Sequence, residues 1–149
     1  MSVSLISQDD FYIGVQAMQS AGQSGDNFDT LDAVNCNGLI ETLEEIRVGN
    51  TPFLKVPNYD FMRSAPNGMR SIRNTGTFVV EGHLVFTSKS ILSYVDYLVY
   101  IDIEENIAKE RRFLRDVVER GYDVQDCEAY YAKYVSPQIE NIKKLKMTA

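Results

Sequence analysis

Thr77-Phe78-Val79-Val80-Glu81-Gly82-His83-Leu84-Val85-Phe86 is the stretch from which the fold is read. Three apolar residues, two of them β-branched, run directly into a carboxylate and a glycine. That is the pattern of a buried parallel strand delivering an acid to its carboxyl end. Ligands of open α/β sheets bind outside such ends, so Glu81 is either a polar strand terminus or a site residue. Near the start of the chain, Val3-Ser4-Leu5-Ile6-Ser7 is a second β-prone run and leads into Gln8-Asp9-Asp10-Phe11-Tyr12. Asp9 by itself would serve equally well in a cap or a solvated turn. Two strands ending in acids predict an α/β fold built on a parallel sheet.

Composition bounds the reading. A chain of 149 residues, 44% hydrophobic and 24% charged, is large enough for one globular domain with a real core, so residues 1–149 are expected to form a single domain. Its net charge of −6 argues against nucleic acid or an anionic membrane as partner, so any anion site must be local. Cys36 and Cys127 are too few and too far apart for a disulfide framework or a four-ligand zinc site. They read as two inert core thiols in a reducing compartment, the cytoplasm or the nucleus. There is no apolar run of spanning length, no signal-peptide pattern at the N-terminus, no internal repeat and no proline-rich linker.

The intervening segments read as follows. Residues 14–29, rich in Gly, Gln, Ser and Asn, predict a surface loop or a poorly ordered helix that could act as a flap. Leu39, Ile40, Leu43 and Ile46 lie on one face of an amphipathic helix that Gly49-Asn50 stops. Residues 51–74 predict a hairpin: Phe53 to Phe61 runs out, Pro66-Asn67-Gly68 turns the chain, and Met69 to Arg73 returns. Its Arg63, Arg70 and Arg73, beside two aromatics, could stack a planar ring and pair with anions.

Tyr97-Leu98-Val99-Tyr100-Ile101 predicts a further strand ending at Asp102. A helix from Glu104 to Arg120 follows, with Ile107, Leu114 and Val117 or Val118 expected in the core. Asp116 and Arg120 have the spacing of a helix-supporting pair. Arg111, Arg112, Arg115 and Arg120 together suggest a phosphate partner. Gly121 closes this helix; a last one begins near Val124, interrupted around Pro137, with Tyr130, Tyr131 and Tyr134 along it. Lys143-Lys144-Leu145-Lys146 reads as a frayed, solvated end.

Five segments in order and approximate spacing resemble the uridine/cytidine kinases, of the phosphoribulokinase/uridine kinase group of P-loop kinases. They are Gln8–Tyr12, Asn27-Phe28-Asp29-Thr30-Leu31-Asp32-Ala33, Val56-Pro57-Asn58-Tyr59-Asp60-Phe61, Val80-Glu81-Gly82-His83-Leu84-Val85-Phe86 and Arg111 to Gly121; the likeness extends to Tyr134-Val135-Ser136-Pro137. The first is also similar to nicotinamide riboside kinases. The resemblance implies a three-layer parallel sheet flanked by helices, and transfer of the γ-phosphate of ATP to a ribonucleoside 5′-hydroxyl in pyrimidine salvage. It implies Asp9 as the base that takes the hydroxyl proton, and Asp9 with Glu81 at Mg²⁺. Asp32 would bind the ribose, Tyr59 and Phe61 would flank the base, and Arg112 would reach the substrate. Arg111, Arg112, Arg115 and Arg120 would belong to a lid, residues 104–123, over the phosphates. Residues 51–74 would be the nucleoside-binding hairpin.

The sequence also departs from that pattern. It contains no Gly-x-x-x-x-Gly-Lys-Ser/Thr loop, whose amides and lysine would hold the triphosphate. On this reading the chain starts at the family's second strand, without the first strand, phosphate loop and first helix, and stops before a further strand. Ser64 stands where uridine kinases carry a base-contacting histidine, Tyr122 where they carry a lid arginine, and Tyr130 where they carry a pyrimidine-reading glutamine. Catalysis by these residues alone is therefore not expected. The alternatives are a non-catalytic relative that binds a nucleoside or associates with an intact kinase as a homo- or hetero-oligomer, a kinase of nicotinamide riboside, and a decayed product.

Overall fold

The computed structural model describes residues 2–145, and these fall into two compact units, Met1–Asp96 and Tyr97–Ala149. Among the described residues, no helix is long and apolar enough to cross a membrane.

The first unit is α/β. Strand β1 (Ser4–Ser7) lies parallel to β4 (Phe78–Glu81), with Ile6 opposite Val80 and Ser7 opposite Glu81. Both predicted strands are therefore present and end at the same level. Burial is one-sided where both faces were expected to be covered. Ile6 is fully buried and Val80 partly so, while Leu5 and Val79, paired on the opposite face, are 55% and 48% exposed. This alternation belongs to a strand packed on one side only.

Around the sheet, a 3-10 turn (Gln8–Phe11) leads to the short helix α1 (Val15–Ser20), which buries Met18 in the segment expected to be mostly loop. Helix α2 (Cys36–Val48) starts at Asn35, whose side chain accepts the Gly38 N–H at 3.0 Å. It buries Leu39 and Leu43 and ends at Gly49, in the left-handed conformation that favours glycine. The 3-10 turn Val85–Thr87 and the single-turn helix α3 (Lys89–Leu92) complete the core with Leu84, Val85 and Ile91.

The hairpin forms, but its turn lies elsewhere. β2 (Phe53–Asp60) pairs antiparallel with β3 (Ala65–Arg73), so Pro66-Asn67-Gly68 is inside a strand and Phe61–Ser64 is the turn. Asp60 Oδ1 accepts the N–H groups of Met62 and Arg63 at 3.0 and 3.1 Å, and Ser64 takes φ 49°. A side chain that satisfies two turn amides outweighs the residue statistics favouring Pro-Asn-Gly. A register shift between Pro57 and Tyr59 lets the prolines sit in the ladder.

The second unit is helical: α4 (Glu105–Leu114), α5 (Val124–Tyr130) and α6 (Ser136–Leu145). The strand predicted over Tyr97–Ile101 is not formed; Tyr97 and Ile101 are 88% and 84% exposed, with no ladder. Apolar β-branched composition makes a strand only where a neighbour takes up its N–H and C=O groups. The core expected for the helix that follows is also out of phase. Leu114 and Val118 are exposed, Ile107 is partly so, and Asp116 is the buried residue. Arg115–Glu119 is a π-helical turn, whose wider winding rotates the following residues off the 3.6-residue stripe.

A second π turn, Tyr131–Val135, carries α5 into α6 without a break, and Pro137 is absorbed in the first turn of α6. Phe113 packs on Tyr131 with ring centroids 6.0 Å apart, and Lys109 Nζ lies 4.9 Å from the Tyr131 centroid. Lys143, expected to be solvated, joins Glu105 at 2.7 Å and Glu140 at 3.2 Å. Lys146 lies outside the described residues.

Candidate functional site

Parallel pairing of β1 with β4 brings two acidic strand ends together. Ser7 and Glu81 are register partners, so the chain leaves the sheet at one level into Gln8-Asp9-Asp10 on one side and Gly82-His83 on the other. Ser7 Oγ accepts the Asp9 N–H at 3.3 Å, capping the 3-10 turn that carries both aspartates. Asp9 Oδ1 is buried without a hydrogen-bond donor. A buried carboxylate oxygen left open is costly unless something polar reaches it. Glu81, one strand away, is exposed.

Two neighbours stiffen this sheet end. Gln8, only 1% exposed, accepts the Leu84 N–H at 3.0 Å and packs so closely on Gly82 that a Cβ there would lie 2.4 Å from the Gln8 Cβ. Asp10 Oδ2 pairs with Arg70 Nη2 at 2.7 Å and so ties the hairpin to the 3-10 turn. Arg70 is therefore committed to a carboxylate of the protein, and Arg63 lies 3.6 Å from Asp60.

Asp32 is exposed on the 3-10 turn Leu31–Ala33. The Cys36 thiol nearby is pushed up in pKa, first by burial and then by the Asp32 charge. Tyr59 is buried within an aromatic row, its centroid 5.5 Å from Tyr12 and 5.2 Å from Phe61; Tyr12 meets Phe28 at 5.4 Å. Phe61 is partly exposed at the end of that row. Asp9, Glu81, Asp32, Tyr59 and Phe61 all belong to the first unit.

Arg111, Arg112, Arg115 and Arg120 belong to the second, where three of them converge on one carboxylate. Asp116, 8% exposed, lies 2.9 Å from Arg120 Nη1, 3.0 Å from Arg115 Nε and 3.5 Å from Arg112 Nε. Arg112 also lies 5.6 Å from the Tyr130 ring centroid. Asp116 is thus more than half of an i,i+4 pair: it holds a three-guanidinium cluster that keeps a net positive charge. Arg111 is exposed.

Neither cysteine is a core thiol, since both are partly exposed; burial is the first cause raising each thiol's pKa. Sequence reading missed Gln8, the Asp10–Arg70 pair, the Asp29–His83 contact and the central role of Asp116. Only His83 carried a signal of its own, as the one histidine of the chain, placed just past a strand end.

Among the described residues no three His, Cys, Asp or Glu side chains cluster to hold a metal. Mg²⁺ needs less, since it is held by one or two carboxylates with water and substrate phosphates. The open Asp9 oxygen and exposed Glu81 at one strand level fit that donor set. The 149 residues do not fit a triphosphate in the same way, having no glycine-rich loop with a lysine.

Comparison with known proteins agrees with the geometry. The model of the phosphoribulokinase/uridine kinase family matches residues 2–147. Uridine-cytidine kinase-like 1 of Mus musculus is 30% identical over 141 residues, covering 93% of this chain and 25% of that protein. Uridine-cytidine kinase 2-B of Danio rerio is 31% identical over 143 residues, covering 93% of this chain and 53% of that protein. The chain thus spans about a quarter to a half of the length of these relatives. Among solved structures, a candidate fructose transport system kinase from Silicibacter sp. TM1040 superposes with a TM-score of 0.77 at 11% identity, over 95% of this chain and 70% of that one. At that identity the likeness is one of fold, an α/β fold of P-loop kinase type.

Proposed function

Since this chain belongs to the phosphoribulokinase/uridine kinase family, we propose that it carries the nucleoside-binding and lid parts of a kinase that phosphorylates a ribonucleoside, uridine or cytidine, at its 5′-hydroxyl. The observation that carries this reading is the buried, open oxygen of Asp9 at the carboxyl end of β1, level with Glu81. A base in that position takes the hydroxyl proton as the oxygen attacks. Asp9 and Glu81 would hold Mg²⁺, which when bound neutralises developing phosphate charge.

Asp32 would hydrogen-bond the ribose hydroxyls, and Phe61, at the open end of the aromatic row, would lie against the base with Tyr59 behind it. In this reading residues 51–74 are the nucleoside-binding hairpin and residues 104–123 a lid. There Arg111, Arg112, Arg115 and Arg120 meet phosphate, three of them pre-gathered by Asp116. The place of action is the cytoplasm. No step through the ATP phosphates is assigned to these residues, because no phosphate loop is among them.

That same lack favours a second reading, a non-catalytic relative that binds nucleoside or an intact kinase. Calorimetry with uridine, cytidine and nicotinamide riboside, followed by a phosphorylation assay with ATP and Mg²⁺, separates the two. Binding with turnover that Asp9→Asn abolishes supports the kinase; binding without turnover supports the second reading. Binding of nicotinamide riboside alone would move the substrate class, and binding of none of the three would overturn the nucleoside reading.

A further inference from the structure

Asp29 and His83 take no part in the roles above, yet they join two segments far apart in sequence. Asp29 has a side chain only 5% exposed, and His83 Nε2 lies 3.2 Å from its Oδ1. The two are not aligned as a straight hydrogen bond. The Asp29 N–H is donated to Asn27 Oδ1 at 3.1 Å, so backbone and carboxylate are both engaged. On the other side, His83 stands between Gly82 and Leu84, the two residues that Gln8 grips by packing and by its hydrogen bond. The imidazole therefore projects from a stiff part of the sheet end.

Asp29 is the near anchor of the turn that bears Asp32. Its far anchor is backbone: the Ile13 N–H is donated to the Ala33 carbonyl at 2.9 Å, the Asn35 N–H to the Phe11 carbonyl at 2.8 Å, and Tyr12 bridges Val34. Between the anchors lies one 3-10 turn with an exposed carboxylate. A turn held at one end only would sweep Asp32 through many positions, and a contact misplaced by an ångström loses much of its worth.

We propose that His83 is a positioning residue: by holding Asp29 it fixes the Leu31–Ala33 turn and presents the Asp32 carboxylate to the sugar hydroxyls of the ligand. The nature of the ligand rests on the nucleoside reading above; the clamp itself does not.

Amide hydrogen exchange followed by NMR, without any nucleoside, tests the clamp. In His83→Leu the Ala33 and Val34 amides, which donate to Thr30 and Leu31 carbonyls, exchange about tenfold faster or more while the β1 and β4 amides keep their rates. His83→Gln, which retains an N–H donor, restores them. Unchanged exchange at Ala33 and Val34, or an equal rise throughout β1 and β4, overturns the proposal. Should His83→Leu not fold, Asp29→Asn is read at the same amides with the same criteria.

The uridine dissociation constant then rises about tenfold in His83→Leu, and this loss disappears in an Asp32→Ala background. Its persistence there overturns the action through Asp32. If the wild-type chain binds no uridine, the nucleoside reading falls, and the exchange rates still decide the clamp.

Discussion

Gln8 and Leu84 are joined across the end of the parallel sheet: the buried Gln8 Oε1 accepts the Leu84 N–H at 3.0 Å. The bond links the first turn after β1 to the first residues after β4 and so sets the spacing of the two acidic ends. Gln8→Ala leaves a buried donor unsatisfied and opens a gap, at a cost of about 2–3 kcal/mol. Urea unfolding should show a lower midpoint at unchanged slope.

Gly82→Ala should be damaging for the complementary reason. The added Cβ would meet the Gln8 Cβ and Oε1 at 2.4 Å, closer than side chains tolerate. Gln8 must then leave its hydrogen bond, for a loss of about 1–3 kcal/mol. The double variant Gln8→Ala/Gly82→Ala should lose less than the sum of the singles, because the clash goes with the side chain.

Asp116→Ala removes the shared carboxylate of Arg112, Arg115 and Arg120. The arginine side chains are partly solvated, which screens the pairing, so the expected loss is about 1–3 kcal/mol. Exchange protection should fall in α4 and α5 and stay unchanged in β1 and β4. If the arginines serve a lid, Asp116→Ala also weakens phosphate-dependent turnover beyond what the lost stability explains.

The Cys36 and Cys127 thiols both have raised pKa values, with burial as the first cause; carboxylate charge follows, from Asp32 for Cys36 and from Asp116 for Cys127. A raised thiol pKa means less thiolate at a given pH. Alkylation by iodoacetamide at pH 8 should therefore be slower than for an unhindered cysteine, which ionises near about pH 8.5. The rate should approach the unhindered value only well above that pH. Reaction at pH 8 as fast as with a free thiol would contradict this environment.

Leu5 and Val79 face outward from the sheet. Leu5→Thr with Val79→Thr keeps β-branched, strand-compatible side chains there and removes exposed apolar surface. Stability should change by less than about 1 kcal/mol, and the concentration at which the protein aggregates should rise. A large fall in melting temperature would mean that this face is packed.

Much of the fold was legible. β1 and β4 were readable because a β-branched run ending in an acid is a local pattern, and α2 because its apolar spacing and the Gly49 stop are local too. The hairpin was readable but not its turn, which Asp60 sets with a side chain that any loop might carry. The helical core in the second unit was misread because one π turn shifts the phase of every later residue. The run from Tyr97 to Ile101 has strand composition and no strand partner.

For the site, the residue types along the chain by themselves supplied the candidates: acids after two strands, an aromatic pair in a hairpin, and arginines on a helix. Only the tertiary structure decided which of these are held, and by what. It set Asp9 level with Glu81, used Asp10 to bind Arg70, Asp116 to gather three arginines and Gln8 to brace the sheet end, and brought Asp29 to His83. The physical reason is that period and composition fix how a segment folds on itself, whereas the partner of a buried polar group comes from distant chain and is chosen by the need to satisfy that group once water is gone.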